Sequence, residues 1–600
     1  MRSQYMTRLK DAKAVPFAAF DIEATKFADT HRISANFSMI GVTLDGKTTS
    51  IYTNIDEFIR RTFTKSTSGA IFWTFNGGRY DFLFLLEPLK QLGYTVKFVQ
   101  SGGKIIFVDV MRGKHTKKGK VYWRHRWHLW DMAQVVKGSL DDNLKLFATT
   151  TQKIHNVNRE SVPDTPENRE YLRHDVIGLW ELVKNFYGQP IFKGVAMKPT
   201  TSSLALATFR HNFLNKQVPR LTDDKEEFIR RGLYGGRTEV YRRRGEHVTC
   251  YDANAMYVAA MLNPVPIGTG RWTKPYKIDN PLGFYECTVY VPENLYSPPL
   301  PYRHNGKLLF PVGTFHGVWY GAELMHAVKC GAQIKHISRA LIFAGDHLLK
   351  RYAETVYQMR SKGGPWKETA KLLGNGLFGK FAQKRDKESI MFLDLETAHE
   401  LQAELYDADS NAFLVMTHSD SPSILPHISA SITAYARIML HNGMLYAGED
   451  LCYSDTDSLY IANGKKLPDR IVGTALGQYK IEHENATFVG YAPKVYMLEA
   501  PSEKTTYIRV KGIPSRKAKR VLTLLKNKKY KAISYWNLAS PKIVMRGQGT
   551  LTNHGFLSEV KRKRTVAPND DKRPLSEDRS KPVAIWEERN TMADRREVGG

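Results

Sequence analysis

The chain has 600 residues, of which 42% are hydrophobic, so it is too long for one core and too apolar to be disordered. Its 88 Lys and Arg exceed its 60 Asp and Glu, and the net charge of +28 favours a polyanion such as nucleic acid, although a merely basic soluble protein is equally compatible. Four scattered cysteines without a C-x-x-C pair indicate neither a zinc knuckle nor a disulfide framework. No apolar run approaches the ~20 residues of a membrane span, so we expect a soluble, unsecreted protein.

Two apolar runs in the first part of the chain lead directly into carboxylates. Residues 14–20 predict a buried strand that ends at Asp21 and Glu23. Residues 71–75 predict a second strand, followed by a sharp turn with paired glycines and then by Asp81. Both segments therefore place acidic side chains at strand ends.

A third acidic position lies on a predicted helix. Thr165 followed by Pro166 is a typical helix start, and apolar residues recur on one face as far as Phe186. Tyr171 and Asp175 are four residues apart on this helix, so they point the same way, beside the apolar stripe and into a cleft.

The segment after Pro365 predicts a helix with a polar and aromatic side. That side carries Lys367, Lys371, Asn375 and Phe378. Glycines interrupt this helix at positions 374, 376 and 379, and each costs about 1 kcal/mol relative to alanine in a helix interior. The close approach of a flat or bulky group would explain them.

The most informative acidic pair lies at the tip of a predicted β-hairpin. Short apolar stretches flank Asp455 and Asp457, and a strand candidate at 247–251 runs directly into Asp252. Carboxylates on a rigid turn are the oxygen ligands that Mg²⁺ prefers. The similar letters at 406–410 lack flanking strand signals and predict an incidental loop.

Two metal ions held by Asp252 and Asp457 would activate a 3′-hydroxyl and stabilise a leaving pyrophosphate. An incoming triphosphate also needs cations. Lys371 is the natural phosphate ligand, and Arg360 on the preceding helix is a second candidate.

The order of these motifs resembles that of the B-family DNA polymerases. The matching runs are 252–257, 371–379, 453–458 and 494–496. The resemblance implies that Tyr257 packs under the nucleotide sugar and that Asn375 and Phe378 contact the nascent base pair. It also implies that Lys494 and Tyr496 hold the primer. The chain departs from the family at 255–258 and at 375–379, where Phe378 replaces a tyrosine, so these contacts carry over less securely than the carboxylates do.

The acidic residues of the first part resemble the three exonuclease motifs of proofreading DNA polymerases. The resemblance implies an RNase H-like fold and a two-metal 3′→5′ exonuclease site. Its metal ligands would be Asp21, Glu23, Asp81 and Asp175. Tyr171 would orient the attacking water, and Asn76 would contact a single-stranded 3′ end. Lys145 is a candidate basic helper, although a solvated helix lysine explains it equally well.

The motif order and the short length further resemble the protein-primed polymerases of bacteriophages and linear plasmids. Tyr234, Gly235 and Gly236 resemble the Tyr-x-Gly-Gly element that coordinates synthesis with proofreading at the DNA, although here the tyrosine occupies the second place and Leu233 the first. The resemblance implies a terminal protein as primer, and insertions that hold it and encircle the DNA. Nucleic-acid-primed or primer-independent synthesis stays open.

The fold class that we predict is multidomain, α+β and α/β, with an RNase H-like exonuclease domain followed by a right-hand polymerase of palm, fingers and thumb. The predicted boundaries are 1–190 for the exonuclease domain, 191–261 for the start of the palm with the Tyr-Gly-Gly linker, 262–345 for a palm insertion, 346–383 for the fingers, 384–422 for a second insertion, 423–515 for the palm, 516–560 for the thumb and 561–600 for a charged, solvated or disordered tail.

The resemblance also implies cofactors and partners. We expect two Mg²⁺ ions in each active site, with Mn²⁺ as a possible substitute, and a monomer in the host cytoplasm that binds primer-template DNA and deoxynucleoside triphosphates. Two competing hypotheses stay open. One is an exonuclease whose second half only binds DNA, and the other is a non-catalytic nucleic-acid-binding protein.

Overall fold

The computed structural model describes most of the chain up to residue 523 and short segments beyond it. The described residues are 4–29, 32–101, 104–117, 120–155, 162–408, 411–501, 505–511, 513, 518–523, 533–535, 542–543, 559–560, 564–566, 572–574 and 579–587, with side chains omitted for 25–36 and for the short strands between 533 and 566. The predicted thumb, 516–560, therefore lies largely outside the described residues.

A ten-stranded sheet, the N-terminal sheet, organises the first part of the chain. Its strands in spatial order are Glu404–Asp407, Ala412–His418, Asp386–Phe392, Thr95–Ser101, Lys104–Lys117, Lys120–Asp131, Ile71–Thr74, Phe17–Asp29, Arg32–Thr43 and Ser50–Tyr52. Alternate residues of a strand face opposite sides of its sheet. Phe20 accordingly packs with the helices Ile55–Thr62 and Asp81–Gln91 on one face, and Ala19 packs with the helix Pro166–Tyr187 on the other.

Several predicted elements of this region are present. The helix Pro166–Tyr187 begins after Thr165, whose side chain accepts a hydrogen bond from the Asn168 N–H group. The strand Phe17–Asp29 begins later than predicted and continues through both Asp21 and Glu23 instead of ending there, because it pairs with Arg32–Thr43 from Ala19 to Asp29.

The predicted second insertion, 384–422, extends the N-terminal sheet. Its strand Asp386–Phe392 pairs antiparallel with Thr95–Ser101, and Ile390 lies opposite Phe98. The expectation of a loop at 406–410 was wrong for its first two residues, which end the edge strand Glu404–Asp407. That strand forms because the neighbouring strand Ala412–His418 offers a free edge, which local letters cannot reveal.

A seven-stranded sheet, the central sheet, carries the hairpin acids. Its strands in spatial order are Thr238–Val240, Leu451–Asp455, Ser458–Ile461, Arg244–Ala253, Tyr479–Ala492, Val495–Ala500 and Thr505–Val510. The long helix Pro426–Ala447 packs Leu440 and Met444 against this sheet. Its earlier residues Ala430 and Ala434 pack against the predicted palm insertion.

The predicted palm insertion forms a separate five-stranded sheet, the insertion sheet. Its strands in spatial order are Val265–Thr273, Gln333–Asp346, Phe284–Val291, Val312–Tyr320 and Ala584–Trp586. The last strand comes from the predicted disordered tail and pairs parallel with Val312–Thr314. Arg573 is also buried, between the rings of Tyr241 and Tyr296. The expectation of a solvated tail was therefore wrong for 572–574 and 579–587, because these residues complete a sheet edge and fill an aromatic pocket.

The helices Lys350–Ser361 and Gly364–Phe381 form the predicted fingers segment. A Cβ atom at Gly374 would meet Val258 at 2.7 Å, and one at Gly376 would meet Ala205 at 3.2 Å. These two glycines therefore permit close packing against neighbouring helices, while Gly379 faces open space. The close approach inferred from the sequence is real at two positions, but the approaching groups belong to the protein.

The remaining helices and strands complete the connections between these units. The other helices are Leu140–Leu146, Thr201–Asn212, Asp223–Arg231, Met256–Ala260, Gly321–Lys329 and Leu395–Glu400. The other strand pairs are Tyr5–Met6 with Val218–Pro219, Tyr302–His304 with Lys307–Leu309, Ile533–Tyr535 with Arg564–Val566, and Lys542–Ile543 with Glu559–Val560. Within the described part of the chain, none of the helices combines the length and hydropathy needed to cross a membrane.

Candidate active sites

The acids of the central sheet meet at one place. Asp252 is the last residue but one of the strand Arg244–Ala253, and its neighbour across the sheet is Ser458, the residue after Asp457. The Ala253 N–H group donates a hydrogen bond of 2.8 Å to the Asp457 carbonyl oxygen. Asp455 ends the adjoining strand. The predicted hairpin with acids at its tip is therefore present, and Asp252 lies beside it.

The turn between Asp455 and Asp457 is held in an uncommon conformation. Thr456 has φ +64°, in the left-handed region, which costs a β-branched residue of order 1–3 kcal/mol. Its N–H group donates to the Arg237 carbonyl oxygen at 2.7 Å. Strain of this kind persists only where the surroundings fix it, and here a neighbouring backbone segment does so.

Asp457 has a raised proton affinity in this site. Burial is the main cause that raises the pKa of Asp457 to about 6, and the charges of Asp252 and Asp455 add to it. Burial also raises the pKa of Asp252, against the lowering influence of Lys480 at 3.7 Å. The site therefore carries excess negative charge that a cation would relieve.

Asp455 has the best-compensated carboxylate of the three. Lys494 lies 3.0 Å from it, and the hydroxyl groups of Thr238 and Tyr453 donate at 3.0 and 3.3 Å. Lys494 is thus positioned by an acid of the site. Tyr496 instead packs in a buried cluster on the central sheet, where its hydroxyl group lies 3.0 Å from that of Tyr460.

A cavity opens beside Asp252 and Asp457. It is lined by Arg360, Lys371 and Asn375 from the two fingers helices and by Tyr257 from the helix Met256–Ala260. Lys371 is paired with Glu368 at 2.7 Å on its own helix. The ring of Tyr257 stacks on that of Phe378, with centroids 4.2 Å apart and an angle of 18° between the planes. The structure therefore brings together the predicted metal-binding and nucleotide-binding residues.

The predicted DNA-binding role of Tyr234 does not fit its surroundings. Its ring is buried in the core of the insertion sheet, and Arg437 donates a hydrogen bond of 2.7 Å to its carbonyl oxygen. Gly235 is exposed, whereas a side chain at Gly236 would meet Thr456 and the Tyr257 hydroxyl group. Gly236 therefore allows the linker to pass the acidic turn closely, which offers a further reason for a glycine there.

A second acidic cluster lies at the N-terminal sheet. Carboxylate oxygens of Asp21, Glu23 and Asp175 lie within 4.8 Å of one another. Asp81 is buried beside them and accepts a hydrogen bond from Thr74. Burial first, and the charge of Asp21 next, hold the pKa of Asp81 well above its ordinary value. All four acids predicted from the sequence thus converge, and Tyr171 lies one helical turn before Asp175.

Lys153 is the basic residue of this cluster. Its ammonium group contacts Asp175, lies 4.7 Å from the centroid of the Tyr171 ring, and lowers the pKa of Asp21 against the larger effects of burial and of Asp175. Lys145 is instead exposed and pairs with Asp141 at 2.7 Å on its own helix. These contacts favour the alternative interpretation of Lys145 as a solvated helix lysine.

Asp131 is a further residue that sequence reasoning missed. Its buried carboxylate accepts hydrogen bonds from the N–H groups of Asn76, Gly78 and Ala133. Asn76 has φ +66° and an exposed side chain. Asp131 therefore fixes the glycine turn that leads into Asp81. Asp131 ends the strand Lys120–Asp131, which pairs with Ile71–Thr74, so its contact with the turn follows from the sheet pairing and not from residues near it in the sequence.

Comparisons with known proteins agree with this geometry. The family profile described as DNA polymerase type B, organellar and viral, matches residues 143–423. The chain is 28% identical over 398 residues to a probable DNA polymerase of Podospora anserina, covering 57% of this chain and 33% of the relative. It is 24% identical over 319 residues to the DNA polymerase of Human adenovirus F serotype 40, covering 45% and 26%. The chain thus spans about a third or less of the length of these two relatives.

The structural comparison covers nearly the whole chain. The structure of Phi29 DNA polymerase complexed with primer-template DNA and incoming nucleotide substrates superposes with a TM-score of 0.71 at 17% identity, covering 93% of this chain and 100% of that one. The fold is therefore that of a B-family DNA polymerase, with an exonuclease domain followed by palm, fingers and thumb. The matched profile is that of the organellar and viral type, so the resemblance predicted from the motifs is confirmed.

The charge cluster makes stability depend on pH in the metal-free protein. Because the pKa of Asp457 rises from 3.8 in the unfolded chain to about 6 in the folded one, the folded state keeps a proton that the unfolded chain loses. Stability should therefore fall as the pH rises from 4 to 6, by up to about 3 kcal/mol from this group. Melting temperatures in EDTA across this range should show a shallower fall for Asp457→Asn. The exposed Asp469→Asn should keep the parent slope, and equal slopes for all three proteins would contradict the prediction.

Proposed function

We propose that this chain is a template-directed DNA polymerase with a 3′→5′ proofreading exonuclease. One observation carries the proposal: Asp252 and Asp457 lie side by side at the edge of a cavity that Arg360 and Lys371 line from the opposite wall. Acids on one side and cations on the other suit a triphosphate that reacts at one end.

The residues around the cavity have separable tasks. Arg360 and Lys371 would bind the phosphates of the incoming nucleotide, and Glu368 would hold Lys371 in place until they arrive. The stacked rings of Tyr257 and Phe378 would form a floor under the sugar and base. A sugar lying on a rigid ring leaves little room for a 2′-hydroxyl group, which favours deoxynucleotides.

The donor set of this site fits divalent cations. Oxygen ligands from Asp252 and Asp457 are what Mg²⁺ prefers, and burial, followed by the charges of Asp252 and Asp455, raises the pKa of Asp457. When bound, two Mg²⁺ ions, or Mn²⁺ in their place, would lower the pKa of the attacking 3′-hydroxyl group and neutralise charge on the phosphates. Asp455, held by Lys494, would position the turn.

The second cluster would hydrolyse a mispaired 3′ end. Asp21, Glu23, Asp81 and Asp175 supply the oxygen ligands, and Asp131 holds the turn that aims Asp81. Lys153 and Tyr171 stand together beside Asp175, where an ammonium and a hydroxyl group can orient a water molecule toward a phosphodiester. A net charge of +28 favours DNA at both sites.

Separate losses are expected when each cluster is broken. Asp457→Ala should abolish primer extension with Mg²⁺ and deoxynucleotides while degradation of a single-stranded 3′ end persists, because only the central-sheet cluster loses a ligand. Asp21→Ala should do the reverse. Loss of both activities in both variants would contradict two independent sites, and unchanged extension in Asp457→Ala would contradict the polymerase assignment.

Two lysines of the same domain provide a matched pair. Lys153→Met should lower the rate of 3′-end hydrolysis by about 10²-fold or more, the scale of a positioned catalytic group, and should leave extension unchanged. Lys145→Met removes an equal charge from an exposed helix and should match the parent in both assays. Equal hydrolysis rates for both variants would remove Lys153 from the mechanism.

We also propose that a terminal protein supplies the first priming hydroxyl group. The resemblance to protein-primed enzymes supports this, as do the two insertions, which are ordered units built into sheets. Synthesis from the end of an unprimed linear template should then need that partner, and the first nucleotide should become covalently attached to it. An oligonucleotide primer should be extended without it. Efficient unprimed synthesis by the purified chain alone would contradict this part of the proposal.

A further inference from the structure

Three side chains form a nitrogen and sulfur cluster outside both acidic sites. His326 and Cys330 are four residues apart at the end of the helix Gly321–Lys329, and His441 lies on the helix Pro426–Ala447. One ligand atom from each lies within 4.8 Å of the other two. The cluster therefore joins the insertion to the helix that supports the central sheet.

The separations are close to those of a tetrahedral site. His326 Nε2 lies 2.8 Å from His441 Nδ1 and 3.8 Å from Cys330 Sγ. Zinc bonds of ~2.0–2.1 Å to nitrogen and ~2.3 Å to sulfur, at tetrahedral angles, separate the ligand atoms by roughly 3.3–3.6 Å. A movement of about half an ångström, within the reach of side-chain rotation, would therefore admit the ion between them.

The outer contact of His441 favours the ligand form of its ring. His441 Nε2 lies 2.7 Å from the Ser297 carbonyl oxygen. A carbonyl oxygen only accepts hydrogen bonds, so Nε2 carries the proton and Nδ1 presents its lone pair to His326 and Cys330. Histidines that bind metals commonly donate their second N–H group to a backbone carbonyl in this way.

The surroundings give the cluster a structural task. Glu323 precedes His326 on one helix, and Arg437 precedes His441 on the other. The guanidinium group of Arg437 forms a buried bidentate ion pair with the carboxylate of Glu323, with nitrogen–oxygen distances of 2.7 and 2.8 Å. Arg437 also binds the carbonyl oxygens of Tyr234 and Gly235. A second link one turn away would fix the same pair of helices against rotation.

We propose that His326, Cys330 and His441 bind one zinc ion, with solvent in the fourth position, and that the ion links the insertion to the central helix. Neutral imidazoles and a thiolate select zinc over the magnesium that the carboxylate sites favour. This site is independent of the proposed polymerase chemistry.

Cobalt(II) is a direct probe of the site. Protein stripped with a chelator and titrated with Co²⁺ should bind one ion with a sulfur-to-cobalt charge-transfer band and the intense visible bands of a tetrahedral site, and Zn²⁺ should displace it. Cys330→Ser should lose the charge-transfer band, and His326→Asn should bind Zn²⁺ at least ~10-fold more weakly. Zn²⁺ should raise the melting temperature of the parent but not that of Cys330→Ser.

The exposed His336→Asn, on a strand of the insertion sheet, is the matched control and should behave as the parent does. Cys330→Ser should also extend primers with Mg²⁺ at the parent rate, which separates a failure of this site from a failure of the polymerase assignment. Absence of a stoichiometric tetrahedral cobalt spectrum in the parent, or its persistence in Cys330→Ser, would overturn the proposal.

Discussion

Mutual repulsion among Asp252, Asp455 and Asp457 is the constraint around which the central part of the molecule is built. Three carboxylates at adjoining strand ends are unstable together unless the backbone fixes them and cations compensate them. The structure supplies both. Thr456 is pinned in a left-handed conformation by the Arg237 carbonyl oxygen, while Lys480 and Lys494 stand beside two of the acids. These two lysines lie beside Asp252 and Asp455, and the carboxylate of Asp457 is the one that the proposed metal ions would neutralise.

The acids themselves could be predicted because the residues next to each of them in the sequence form a recognisable pattern. A strand that leads into a carboxylate and a hairpin with carboxylates at its tip are local patterns. The hairpin is present as predicted, whereas the strand Phe17–Asp29 continues past Asp21 and Glu23. Lys153 could not be found this way. Lys153 contacts Asp175 because the segment that carries Lys153 packs against the helix Pro166–Tyr187, and no pattern in the neighbouring residues indicates this. Lys145 has the same charge and lies on a helix, so local pattern favoured it instead. Tyr234 illustrates the same limit, since its burial depends on an insertion that follows it in the chain.

The architecture ties the two acidic clusters together mechanically. The strand Asp386–Phe392 follows directly after the fingers helix Gly364–Phe381, yet it pairs with the N-terminal sheet. Lys114 from that sheet also pairs with Glu400 in the same segment, at 2.8 Å. A movement of the fingers would therefore pull on the sheet that bears Asp21 and Glu23. Such a connection would couple the two catalytic sites proposed above.

The parallel pairing of Ala584–Trp586 with Val312–Thr314 has a bearing on biosynthesis. The partner strand is synthesised well before this closing strand, so the insertion sheet has an open edge until residues 584–586 are made. Unpaired strand edges readily recruit strands from other chains. The strand Ala584–Trp586 therefore closes this edge, and nascent chains that stall before it would be the ones most prone to aggregate.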